Sequence, residues 1–227
     1  MHVTPPTPPV TRPVVGPARW QVFGPGLAAL IGLFMLTVIY QFDGMSALQR
    51  DLGLSDLGAL VVGLVSFVVA AALTVPVGLL LGTRAPTAVT IPAICFVFFG
   101  VLLVAFTNAG GLLAVGRALQ GLGTGAATGA TVALILKTRE RRGVLAGVFA
   151  ALAALALLLA PVIGQVISEA VGFRVIQLAA IPFLLVALVV SAVLGIVSLS
   201  AAKRQAPPIP NGMPYPPPGP TEFTGGA

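Results

Sequence analysis

Six stretches of this chain run for about 20 residues or more with almost no charge, the length a helix needs to cross a bilayer. They cover 22–46, 57–81, 87–107, 110–136, 143–167 and 175–199. A spanning segment in lipid must satisfy its own backbone hydrogen bonds, which only helices and closed barrels do. The stretches are continuously apolar rather than alternating, and that excludes a barrel. The chain is 57% hydrophobic and 8% charged, whereas soluble domains carry roughly 25% charged residues. The expected fold is therefore all-α: a polytopic membrane protein with six transmembrane helices in one bundle. Connections such as Asn108-Ala109-Gly110 barely turn the chain, so successive helices should be antiparallel neighbours.

Proline and charge organise what surrounds the spans. Residues 1–19 form a proline-rich tail containing Pro5, Pro6, Pro8, Pro9, Pro13 and Pro17, and 203–227 form a Pro/Gly-rich one. Neither can bury a core, so both are expected to be extended and disordered, flanking a transmembrane domain over 20–202. The amino-terminal segment lacks a cationic n-region and a small-residue cleavage site, so the first span is expected to be retained. Arg12, Arg19, Arg84, Lys137, Arg139, Arg141, Arg142, Lys203 and Arg204 fall on one side of the spans. Arg50 and Arg174 fall on the other, beside Asp43, Asp51, Asp56 and Glu169. The positive-inside rule then puts both termini in the cytoplasm of a multi-pass cell-membrane protein. Trp20 and Tyr40 suit interfacial anchors of the first span.

Several function classes fall away. The net charge of +6 is spread over span ends, which speaks against nucleic-acid binding. His2 is the single histidine and Cys95 the single cysteine, so no His-based metal cluster and no disulfide framework within the chain is expected. No catalytic Ser/His/Asp or Cys/His set exists, and the glycine-rich fourth span lacks the Lys-Ser/Thr of a phosphate-binding loop. Neither an enzyme nor a cofactor is expected; the expected surroundings are the lipid bilayer.

Arg117 is the exception inside the apolar spans. A charge there is costly and usually has both a partner and a role. Two readings stand: an anchor to backbone carbonyls or to Gln120, or a part in substrate or proton handling. Asp43, near the outer end of the first span, either faces Arg117 across the bundle or is a solvated acid at the membrane surface. Gly121, Gly125 and Gly129 place a small residue every four along the fourth span, a stripe that lets helix backbones approach, and Ala114 and Ala118 extend it. Pro76 with Gly78, and Pro161 with Gly164, mark static kinks or places that flex. Gln165, Glu169 and Gln177 line an outer vestibule or lie at the surface. The basic loop Lys137-Thr138-Arg139-Glu140-Arg141-Arg142 sets topology and attracts anionic head groups.

The order of these signals resembles the amino-terminal six-helix half of the major facilitator superfamily, above all its drug–proton antiporters. Arg117-Ala118-Leu119-Gln120-Gly121, with Gly123 and Gly125, is similar to the fourth-helix Arg-x-x-Gln-Gly motif, whose arginine the family ties to proton coupling. Ala160-Pro161-Val162-Ile163-Gly164 resembles the fifth-helix antiporter motif, and Gly172-Phe173-Arg174 the Gly-Trp-Arg that follows it. Asp51-Leu52-Gly53-Leu54-Ser55 resembles the lead into the second helix. The loop after the second helix departs from the family: Gly78-Leu79-Leu80-Leu81-Gly82-Thr83-Arg84-Ala85-Pro86 puts Gly82 where an acid belongs and lacks the closing glycine and arginines.

The resemblance implies a half-size secondary transporter, exporting a small hydrophobic or amphipathic compound against protons. It would act as a homodimer or beside another membrane protein, because the family uses two six-helix bundles around a midplane site and residues after Leu199 do not begin a second one. Asp43, Arg117 and Gln120 would line the polar path. The alternative is a non-transporting scaffold subunit of a larger membrane complex, whose proline-rich tails dock in aromatic grooves of a partner or remain solvated ends.

Overall fold

The structure, a computed structural model, describes residues 19–38, 49, 52–138 and 142–205. A 3₁₀ turn, Arg19–Val22, leads into α1, Phe23–Thr37. There follow α2, Asp56–Gly82; α3, Pro86–Phe106; α4, Gly110–Lys137; α5, Arg142–Val171; and α6, Phe173–Gln205. Among the described residues the fold is all-helical. The helices α2 to α6 are long and apolar enough to cross a membrane, and α1 is an apolar helix of 15 residues. The chain is a multi-pass membrane protein built as a helical bundle.

Local chemistry sets the helix ends. Ser55 caps α2, its hydroxyl accepting from the Gly58 N–H at 3.1 Å, and Asp56 stands in the first turn where the helix dipole favours an acid. Pro86 opens α3, where its missing N–H costs nothing. Gly172, at φ +88°, makes the turn from α5 to α6, a conformation that L side chains rarely adopt. Side chains tie the connections together. Lys137 Nζ donates to the Thr83 carbonyl, joining the end of α4 to the end of α2. At the opposite end of the bundle the Arg174 guanidinium donates to Asn108 Oδ1 at 2.6 Å.

The centre of the bundle is α4, which packs chiefly on α2 and α3 and also on α1. Of its apolar stretch 67% is buried, against 17% for α2 and 6% for α5. Glycine makes this possible. A Cβ on Gly121, Gly125 or Gly129 would collide with the carbonyl oxygen of Phe67, Ala71 or Val75, respectively. The partners advance four residues at a time on both helices, so α2 and α4 run side by side in the same direction with their backbones touching. Gly78 and Gly82 return the contact from α2, against the backbone of Ala126 and Ala130. Thr74 adds a polar clasp, donating to the Leu122 carbonyl at 2.9 Å. A different face of α4 carries Gly123, set against the Ala93 carbonyl of α3. With no hydrophobic gain between helices in lipid, close van der Waals packing of this kind drives association.

Two substitutions separate this packing from mere helix propensity. Gly125→Leu would drive a side chain into the Ala71 carbonyl and the Thr74 hydroxyl, whereas Gly147→Leu meets nothing within 4 Å. Thermal unfolding of the detergent-solubilised protein should show Gly125→Leu less stable by about 3 kcal/mol, as overpacking costs, and Gly147→Leu within about 0.5 kcal/mol of the parent. Equal losses at both positions would contradict the account.

Candidate functional site

Arg117 lies one turn before Gly121 on α4 and is 0% exposed. Its guanidinium reaches across three helices. Nε donates to the Gly63 carbonyl of α2 at 3.0 Å. One terminal nitrogen donates to the Met35 carbonyl of α1 at 2.7 Å and to Gln120 Oε1 at 2.7 Å. The other terminal nitrogen donates to the Leu36 carbonyl at 2.9 Å. The guanidinium carbon stands 4.8 Å from the centroid of the Phe67 ring, a cation–π contact.

The acceptors come from irregular backbone. Met35 and Leu36 lie in the last turn of α1, where carbonyls run out of intrahelical partners. Gly63 lies in Leu60–Val65, a π-helical segment inside α2 in which hydrogen bonds step to i+5 and carbonyls are displaced from the regular ladder. Ser66 closes that segment, its hydroxyl within hydrogen-bond distance of the carbonyls of Val61 and Val62 at 3.0 and 2.8 Å. The planar fork of arginine suits acceptors spread in this way; a lysine ammonium is a single point.

Gln120, three residues on and facing the same way, carries the network further. Its Nε2 donates to Gln177 Oε1 of α6 at 3.2 Å. Its backbone carbonyl accepts the Thr124 hydroxyl at 2.6 Å, and a Cβ on Gly32 of α1 would collide with that threonine side chain. The direction of the chain follows from chemistry. Arginine only donates, so Gln120 must present its oxygen to Arg117 and its amide nitrogen to Gln177. Gln177 then presents its oxygen in turn, and its own buried Nε2 is left with no hydrogen-bond partner among the described residues.

The residues singled out from the sequence fall in different places. Arg117 and Gln120 are brought together; Asp43 lies outside the described residues, as do the residues of both tails up to 18 and beyond 205. Gly121, Gly125 and Gly129 form the back wall against α2. Pro161 is half-buried within α5, and Gly164 is buried, with a Cβ there set to strike the carbonyl of Val38, the residue that follows α1. Gln165 is half-buried and Glu169 exposed, but Gln177 is 1% exposed and belongs to the interior network, neither to an outer vestibule nor to the surface. The partner carbonyls of Met35, Leu36 and Gly63, and the Phe67 ring, were not marked by any residue pattern. Among the described residues no three His, Cys, Asp or Glu side chains are grouped to hold a metal ion.

A buried arginine held by helix-end and π-helical carbonyls, at the centre of an apolar helical bundle, defines a membrane protein with a built polar centre. A family model of the Major Facilitator Superfamily matches residues 26–218, most of the chain. The chain belongs to that superfamily, whose members are transporters and not enzymes. No curated protein matches the chain.

Replacing the fork tests the geometry. Arg117→Lys keeps the charge but cannot reach α1, α2 and Gln120 together, and hydrogen bonds to charged groups are worth about 1.5–3 kcal/mol each. The melting temperature of the solubilised protein should fall clearly for Arg117→Lys, while Arg142→Lys at the exposed start of α5 should leave it unchanged.

Proposed function

We propose that this chain is a proton-coupled exporter of a small hydrophobic or amphipathic compound in the cell membrane. Both ends of the chain would be cytoplasmic, and a second six-helix unit, a second copy or a partner chain, would complete the path. The observation that carries the reading is the Arg117 centre: a full charge placed inside an apolar bundle and held by carbonyls of two other helices. Such an arrangement costs more than a packing role requires. Arginine does not deprotonate in proteins, so the proton must ride on a carboxylate. Asp43, downstream of the α1 turn that holds Arg117, is assigned that role. Protonation of Asp43 would change its pull on Arg117, and exchange of the Met35 and Leu36 carbonyls would let α1 shift against α4. Gln120 passes the change to α6 through Gln177.

The second unit is asked for by the architecture of the family, in which two six-helix bundles enclose a midplane site.

A second reading, a scaffold subunit, is favoured by the connection after α2. Gly82 stands where the family carries an acid and is packed on Ala130, and Thr83 is held by Lys137. A connection fastened in this way suits a static bundle, whose proline-rich tails would dock in a partner.

Reconstituted liposomes with an imposed pH gradient and a panel of amphipathic fluorescent dyes separate the two. Wild type should move at least one dye in step with proton flux. Asp43→Asn should reduce coupled transport at least tenfold with the melting temperature preserved. Full coupling in Asp43→Asn overturns the assignment, and an inert wild type that co-purifies with a stoichiometric second chain supports the scaffold reading.

A further inference from the structure

A groove of about 360 Å³ lies between α1, α5 and α6. Phe34 and Met35 of α1, Ile163 and Ile167 of α5, and Ile176 and Phe183 of α6 form most of its wall, and every lining side chain is apolar. Its volume is in the range of small-molecule sites, roughly 300–1,000 Å³. One side is open, where Phe183 is 59% and Ile163 36% exposed. Ile163, Ile167, Ile176 and Phe183 belong to helices long and apolar enough to cross a membrane, which puts the opening at the depth of the hydrocarbon.

The occupant follows from what fits. Water needs two to four polar partners, and the wall supplies none. Left unfilled, the lining atoms would lose their contacts outright. A neighbouring helix could enter it only by its side chains. A single alkyl chain is narrow, flexible and already present at this depth. The groove also borders the polar centre. Met35 gives its side chain to the wall and its carbonyl to Arg117 at 2.7 Å, and Val38, just after α1, rests on Gly164 of α5.

We propose that this groove is a binding site for one acyl chain of a membrane lipid, which braces the α1 turn that holds Arg117. The site does not depend on the transport reading.

The full-length protein is reconstituted in nanodiscs with a phospholipid carrying a diazirine midway along one acyl chain, irradiated, and mapped by mass spectrometry. Labelling should be at least fivefold higher on the α5 and α6 peptides holding Ile163, Ile167, Ile176 and Phe183 than on the α2 face around Leu73 and Leu80, which is more exposed. Ala179→Trp, at an exposed wall position, should abolish that excess and leave α2 labelling unchanged. Adding phospholipid to delipidated protein should raise the melting temperature of wild type more than that of Ala179→Trp. Even labelling over both faces, or an excess that survives both Ala179→Trp and Ala180→Leu, overturns the proposal.

Discussion

The structure turns on one requirement: a guanidinium inside hydrocarbon needs oxygen acceptors, and regular helices have none to spare. In α-helices every interior carbonyl is taken by the N–H four residues on. The bundle releases carbonyls in two ways. It places the last turn of α1 beside Arg117, and it lets α2 pass through a π-helical segment at Leu60–Val65. Phe67, one turn beyond Gly63, supplies the face of a ring to the same charge. The irregular backbone and the charge therefore explain each other. Without the arginine, the carbonyls of Met35, Leu36 and Gly63 would lose a strong donor; without them the arginine could not remain in the core.

Close packing makes this arrangement reachable. A fork of fixed length bridges α4 to both α1 and α2 only if all three axes are near, and the glycines of α4 bring them there. Gly121 meets the carbonyl of Phe67, the residue whose ring lies under the charge, so the packing stripe and the polar centre share one turn of α2. Gly32 does the same for α1 by admitting Thr124. Two threonines of α4 are self-contained: Thr124 and Thr131 return their hydroxyls to the carbonyls of Gln120 and Ala127 at 2.6 and 2.7 Å. A helix this polar is tolerable only in the interior, and α4 is the most buried of the spanning helices.

What the sequence disclosed follows from which signals side chains carry. Long apolar runs specify spanning helices because the hydrocarbon thickness sets their length, so the all-helical membrane bundle was legible, while the end of the first span, 22–46, lies outside the described residues. The three-residue spacing of Arg117 and Gln120 put them on one helix face, and their hydrogen bond is what that spacing allows. The acceptors were not legible, because a carbonyl belongs to every residue and carries no identity. Nothing in Met35, Leu36 or Gly63 distinguishes them from their neighbours, and a π-helical segment in Leu60–Val65 leaves no mark in a run of Leu, Val and Gly. Gln177 was visible as a polar residue, but its depth was not. One residue's burial depends on the rotation of α6, which packing against α1 and α3 decides.

The polarity of the hydrogen-bond chain is the last consequence of using arginine. Because Arg117 only donates, it orients Gln120, and Gln120 orients Gln177, so one donor-to-acceptor direction runs from α4 into α6. On its other side the same guanidinium grips α1 and α2 by their backbones. The two sides differ in kind. A glutamine can rotate its amide and trade partners without moving a helix, but a backbone carbonyl moves only with its helix. Displacement of α1 or α2 must therefore break charge-assisted bonds in lipid, whereas adjustment toward α6 breaks only a neutral hydrogen bond between two amides. The centre is stiff toward α1 and α2 and compliant toward α6. A change that frees the bundle has to act where the stiffness lies, at the α1 turn of Met35 and Leu36 or at the π-helical segment of α2.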